Sequence, residues 1–379
     1  MKRTILILTL LITLSLACSL SGLTSSGDDT AAQNELPPQS ENRCGDGDCD
    51  GPENPNNCPD DCAELPALTD SSGDSTAPAS DGQPTVLYLG IMVHLEGWDD
   101  HIDQAKFERH AGLMREYASL FETYGARLTW ESKEVTDGIL RWDDNVLLEM
   151  EQRGHGIGVH ADIGGQKNYD CTHFADDLRV EREQLESLGV TVRHVSGIVS
   201  HCDWVEAASE AGYLFTTGSV AYGVMSMPIE SRPLEYRDCP NPGACHDTFP
   251  TALEDRLHPW RMNSGADWIT PDPNGELVML ASSQGLACVE EELTGQTPCK
   301  NFTEADIDYF FQQLDQAIAL SEPGQVNIYY VGWSFGSPLD TQLLEIWLQR
   351  IVPYVESGQV EWKTLPEMYD AYIQYEAYP

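Results

Sequence analysis

From Thr85 onward, short apolar runs alternate with longer segments whose apolar residues recur at helical spacing. The run TVLYLGIMVHLE, residues 85–96, shows no polar alternation, as expected of a strand covered on both faces. Residues 104–124 carry Phe107, Leu113, Tyr117, Leu120 and Phe121 on one helical stripe. The strand-like ARLTWES follows, then a helix near 145–152, a strand at 156–160, a helix near 176–187 and a strand at 192–199. A helix at 203–211 leads to the strand YLFTTGSV, and ELVMLASS reads as a further strand. The pattern closes with a helix at 304–321, the strand QVNIYYVGWS, a helix at 338–357, the strand VEWKTL and a last helix to about 375. Alternating strands and helices predict an α/β fold with a parallel sheet, and this many units favours a (β/α) barrel. In such barrels chemistry sits at the C-terminal ends of the strands.

The first 84 residues read differently. Lys2 and Arg3 precede an apolar stretch, Ile5 to Leu16, of signal-peptide length. It ends in SLAC and resembles a bacterial lipobox, with Ser15 where Leu is usual, so residues 1–18 are expected to be a lipoprotein signal peptide lipidated at Cys18. An ordinary cleaved signal peptide is the alternative. Either way the protein is expected to be exported, as an envelope lipoprotein anchored at Cys18 or as a secreted protein. Residues 19–43 and 63–84 have the composition of flexible linkers. Between them, residues 44–62 form a small acidic module with four cysteines, at 44, 49, 58 and 62. Asp46, Asp48 and Asp50, followed by Gly51, match the start of a calcium loop, although the closing Glu is absent. A purely disulfide-bonded knot fits the same residues.

Charge narrows the partners. With 62 acidic against 21 basic residues the net charge is −41, so nucleic acid is excluded as a natural partner. A membrane is expected only through the lipid anchor. There are eleven cysteines. In an exported chain they can oxidise. Cys239/Cys245 and Cys288/Cys299 are close in sequence, which leaves Cys171 and Cys202, but spacing does not fix connectivity.

Candidate chemistry comes from one repeated pattern. GIMVHLEG gives His94-x-Glu96, GIGVHADIGG gives His160-x-Asp162, and GIVSHCDW gives His201-x-Asp203. In a strand, residues i and i+2 face the same side, so each pair offers an imidazole and a carboxylate to one place. Three such pairs at strand ends supply the donors that a divalent zinc-like metal takes. Hydrogen-bonded structural histidines are the competing reading. Trp98, Trp204, Trp260, Trp268 and Trp333 fall near predicted loop ends, where aromatics suit either sugar stacking or packing.

The region 85–379 resembles the polysaccharide deacetylase (NodB-homology) family, which implies a deformed (β/α) barrel. Residues 93–97, VHLEG, stand where the family has T-F-D-D-G. Glu96 falls on the metal-binding Asp and Leu95 on the catalytic-base Asp. RGHGIGVHADIGG matches the second motif, with His160 on its first His and Gly164 in place of the second. VSGIVSHCDWVEAASEAGY follows the cadence of the third region, without its Arg and Pro. LHPWRMNS points to Arg261 as the residue that orients the base, and ESGQVEWKTLPEM is close to the family's C-terminal ending. The last motif has no His in VNIYYVGWSFG.

The resemblance therefore implies a metal-dependent hydrolase of C–N bonds, acting on an acetylated polysaccharide. Zinc is the expected ion, with nickel or cobalt as substitutes. His94, Glu96 and His160 are the expected ligands, and Asp162 or Asp203 the base. Arg261 would pair with the base and His201 would protonate the leaving amine. The alternatives are a non-catalytic glycan-binding surface lipoprotein and a calcium-stabilised surface protein.

Overall fold

The computed structural model describes residues 85–96, 99–281, 302–334 and 340–377. All belong to the compact unit Ala77–Pro379. The signal segment with Cys18, both linkers, the module with Asp46, Asp48 and Asp50, Trp98 and the pair Cys288/Cys299 lie outside the described residues.

Among the described residues nine strands form one sheet, eight of them in the order β6-β7-β5-β4-β3-β2-β1-β8 and the ninth, β9, paired with β1. They are β1 (Leu87–Leu95), β2 (Thr129–Ser132), β3 (Gly156–His160), β4 (His194–Ser196), β5 (Phe215–Thr217), β6 (Trp260–Met262), β7 (Leu277–Leu280), β8 (Asn327–Ser334) and β9 (Val360–Trp362). Among the strand pairings of the described residues only β6–β7 is antiparallel. β8 runs along one edge of β1. On the other edge β9 pairs with Leu87–Leu89 and β2 with Met92–Leu95.

The result is a deformed barrel with a seam. Where β8 faces β7, the Tyr330 hydroxyl accepts from Gly218 N at 2.9 Å and donates to the Leu280 carbonyl. One side chain thus satisfies backbone groups that a ladder would otherwise have paired.

Eight α-helices are present among the described residues: α1 (Gln104–Thr123), α2 (Glu134–Trp142), α3 (Val146–Gln152), α4 (Phe174–Glu186), α5 (Trp204–Glu210), α6 (Glu304–Leu320), α7 (Thr341–Glu356) and α8 (Leu365–Ala377). Their starts follow local chemistry. Asp103 caps α1 by accepting from Lys106 N, and Thr303 and Asp306 form a reciprocal capping box on α6. None is long and apolar enough to cross a membrane.

Strand alternation sorts the apolar residues into two cores. On β1, Leu87, Leu89, Ile91, Val93 and Leu95 face the helices. Met92 instead joins Phe215, Val278, Leu280, Ile328 and Tyr330 inside the barrel. Leu365, Met368 and Tyr372 of α8 complete that inner core. A Cβ on Gly90 would lie 2.7 Å from Met368, and one on Gly156 would lie 2.8 Å from Pro366, so α8 plugs the barrel's lower end.

Several expectations change. The strand expected at 192–199 stops at Ser196 and that at 213–220 is only Phe215–Thr217. Neither α2 nor β6 was expected, and 221–256 is mostly short 3-10 turns. Trp204, Trp260, Trp268 and Trp333 are all buried, so they pack and do not stack on sugars. Cys171–Cys202 and Cys239–Cys245 are disulfides.

Candidate active site

The carboxyl ends of β1, β2, β3 and β4 bring a polar cluster into the barrel mouth. The inward positions are His94 and then Glu96 from β1, Glu131 from β2, His160 and then Asp162 from β3, and His194 and Ser196 from β4. The i, i+2 rule holds for two of the expected pairs. His94 Nδ1 lies 3.8 Å from Glu96 Oε1, and His160 Nε2 lies 3.3 Å from Asp162 Oδ1. Across the strands, His160 Nε2 is 3.0 Å from Glu96 Oε2, and the His94 and His160 rings stack with centroids 3.9 Å apart.

Asp162 turns back towards His160 because its backbone is left-handed, at φ 52°. Asp tolerates that region better than most residues. Gly197 makes room for the turn. Its own φ is +66°, and a Cβ there would sit 2.8 Å from Asp162 N.

The electrostatics follow from burial and opposition of charge. Burial alone would push His160 down, but the bonds from Asp162 and Glu96 outweigh it and raise the ring to about 9. The same bond from His160 holds Asp162 well below the usual carboxylate range, and Lys133 Nζ, 2.5 Å from Oδ2, reinforces it. Glu96 is lowered by His160 as well. His94 goes the other way. Burial, then the charge of His160, push it down.

Beneath these residues sits Glu131, with no exposure to solvent. Burial opposes its charge, but His194 and His94 more than offset this and hold its carboxyl well below the ordinary range. Oε1 accepts from Thr217 Oγ1 at 2.6 Å and Oε2 accepts from Ser196 Oγ. His94 Nε2 and His194 Nε2 approach at 3.0 and 3.2 Å, but neither has hydrogen-bond geometry. Sequence reading passed over Glu131, His194 and Ser196. The signal for Glu131 was weak: an acid beside Trp130 in the short strand TWES, which also holds Thr129 and Ser132.

The remaining expected residues are elsewhere. His201 is exposed, with Nε2 3.7 and 3.8 Å from the sulfurs of the Cys171–Cys202 disulfide. Oxidised sulfurs are not thiolates, so those three residues form no metal site. Asp203 caps α5, accepting from Glu206 N and Gly265 N at 3.0 and 2.7 Å. Both follow from β4 ending early, which leaves 201 and 203 in a loop and a cap. Arg261 does not pair with Asp162. Its guanidinium bonds Glu376 of α8, at the barrel's lower end, at 2.8 Å. Leu95 is sealed in the outer core.

Two sets of donor atoms converge within 4.8 Å of one another: Glu96, His160 and Asp162, and His94, Glu131 and His160. The first fits a divalent ion better. Its two carboxylates flank one imidazole nitrogen at the mouth, a charge arrangement that a cation completes.

No family model matches the sequence, and no curated protein matches it. Solved structures do. A Mycobacterium smegmatis protein assigned to the polysaccharide deacetylases aligns over 79% of this chain and 95% of its own, with a TM-score of 0.50 and 13% identity. One from Pseudomonas aeruginosa PAO1, also described as a polysaccharide deacetylase, aligns over 76% and 92%, with a TM-score of 0.49 and 14% identity. Puue allantoinase aligns over 81% and 96%, with a TM-score of 0.48 and 13% identity. The likeness is one of fold: this barrel is of the type found in polysaccharide deacetylases.

Proposed function

We propose that this chain is a metal-dependent deacetylase, a divergent member of the polysaccharide deacetylase family, which removes acetyl groups from an extracellular or cell-surface glycan. The observation that carries the reading is the meeting of His160 Nε2 with Glu96 and Asp162 at the barrel mouth. The fold shared with a protein assigned to the polysaccharide deacetylases supports it. The sequence's leader and Cys18 support export and anchoring in the envelope.

Glu96, His160 and Asp162 would hold the ion, zinc or, in its place, nickel or cobalt. Such an ion supplies Lewis-acid polarisation of an acetyl carbonyl and acidification of water. Asp162 becomes a ligand in this reading because a carboxylate held so far below its usual range is a poor proton acceptor. Lys133 takes the orienting role that the resemblance gave to Arg261, since it bonds the Asp162 carboxylate directly. His94 is the proton acceptor. It is kept neutral, its Nδ1 faces Glu96, and its other nitrogen is turned to Glu131.

Elemental analysis of the purified protein, beside acetate release from acetylated glycans, tests this. Roughly one ion per chain is expected, as for a single catalytic site. Glu96→Ala, His160→Ala and Asp162→Ala should lose it. His94→Ala should keep the ion and lose acetate release. A wild-type protein that takes up no zinc, nickel or cobalt sinks the reading.

A further inference from the structure

Ser196 has one hydroxyl proton and two neighbours placed to receive it. Glu131 Oε2 lies on one side and His160 Nδ1, at 2.8 Å, on the other. Glu131 is enclosed, and its second oxygen takes the Thr217 hydroxyl at 2.6 Å. An ionised carboxylate only accepts. The Ser196 proton therefore goes to Glu131, and the serine oxygen is left to accept. The donor facing it must be the Nδ1–H of His160.

We infer that Glu131, acting through Ser196, is the positioning residue that keeps a proton on His160 Nδ1 and so makes Nε2, towards Glu96 and Asp162, the bare nitrogen of the neutral ring. Its consequence for metal binding rests on the function proposed above; the tautomer itself does not. The arrangement resolves a conflict at the mouth. Glu96 and Asp162 both approach Nε2, at 3.0 and 3.3 Å, and by themselves would favour a proton there. A ring that kept its proton on Nε2 could not offer that atom to a cation. The bond through Ser196 opposes that preference from the other side of the ring. Partners of this kind, one bond behind a ligand, fix ring orientation and tautomer in metal sites.

The sharpest substitution is Glu131→Gln, which keeps the size of the side chain and adds a donor. The Gln amide can donate to Ser196 Oγ, which frees the serine proton for Nδ1. The readout is the ring 15N chemical shifts of His160 in metal-free protein, at alkaline pH where the ring is neutral. Wild type should show the proton on Nδ1 and the Glu131→Gln variant should show it on Nε2. Zinc affinity, from chelator competition, should fall about 10- to 100-fold in the variant. Ser196→Ala cuts the same connection without touching the buried charge, and should lose the Nδ1–H preference and a similar share of affinity. It carries the test if Glu131→Gln does not fold. A wild-type ring protonated on Nε2, or variants that melt earlier with the tautomer unchanged, would overturn the inference. A wild-type ring protonated on Nδ1 in a protein that binds no zinc would uphold the positioning and remove the metal-dependent function instead.

Discussion

The His194 imidazole fills the space that a side chain on residue 158 would occupy: a Cβ there would lie 2.1 Å from Nε2. Glu131 and Gly158 are register partners on β2 and β3, and His194 stands on the next strand. The glycine is a gap over which His194 reaches to within 3.2 Å of Glu131 Oε1. An imidazole thus reaches a buried carboxylate across an intervening strand.

Gly158→Ala should therefore destabilise the fold by about 1–3 kcal/mol, the usual cost of overpacking a filled interior. The ring cannot swing away, since it is enclosed and stacks on Phe215 with centroids 4.6 Å apart. Denaturant unfolding of Gly158→Ala, His194→Ala and the double variant checks this. The double variant should lose less than the sum of the singles, because the methyl then has a cavity to enter. Strict additivity would mean that the two residues do not compete for space.

Stability should fall as pH rises through the His160 range. The folded ring is raised to about 9 from an ordinary 6.5. A group with a raised folded value contributes fully below its unfolded value and loses that contribution as pH climbs to the folded one. The window is pH 6.5 to 9, and the contribution is at most about 3 kcal/mol. Thermal melts of metal-free protein across that window should show the decline, and His160→Gln should flatten it. An unchanged slope in the variant would assign the decline to other groups.

The two described disulfides should differ in worth. Cys171–Cys202 closes a separation of 31 residues and Cys239–Cys245 one of 6. Loop-closure entropy gives about 4 kcal/mol for the first and about 2 kcal/mol for the second. Unfolding midpoints of the paired serine variants, Cys171→Ser/Cys202→Ser and Cys239→Ser/Cys245→Ser, measure both. The first pair has a further effect in prospect, since Ser200, Cys202 and Asp203 shape the loop that leads into α5. A larger loss from the second pair would contradict loop entropy as the main term.

Much of this architecture is legible in residue order because it depends on periodicity. The unbroken apolar run of β1 and the stripe of α1 each reflect a face that must be covered, and both faces are covered in the fold. His94-x-Glu96 and His160-x-Asp162 are legible for the same reason. Two residues apart at a strand end is a local relationship, set by the extended chain for Glu96 and by a left-handed turn for Asp162. His201-x-Asp203 has the same letters and a different fate. Whether a strand continues to residue 201 depends on a neighbour to pair with, and β4 has pairing partners only as far as Ser196.

What the sequence determined by itself is therefore the strand–helix alternation and the inward direction of two His-x-acid pairs. What only the tertiary structure decided is which groups share one volume. Glu131, His160, His194 and Ser196 come from three strands that become neighbours only once β2, β3 and β4 pair, and Arg261 was drawn away to Glu376 by the helix that plugs the barrel. Spacing along the chain carries information over a few residues. Opposing charges brought together from separate strands are a property of the folded barrel, and at His160 and Glu131 they outweigh burial and set the charge of this site.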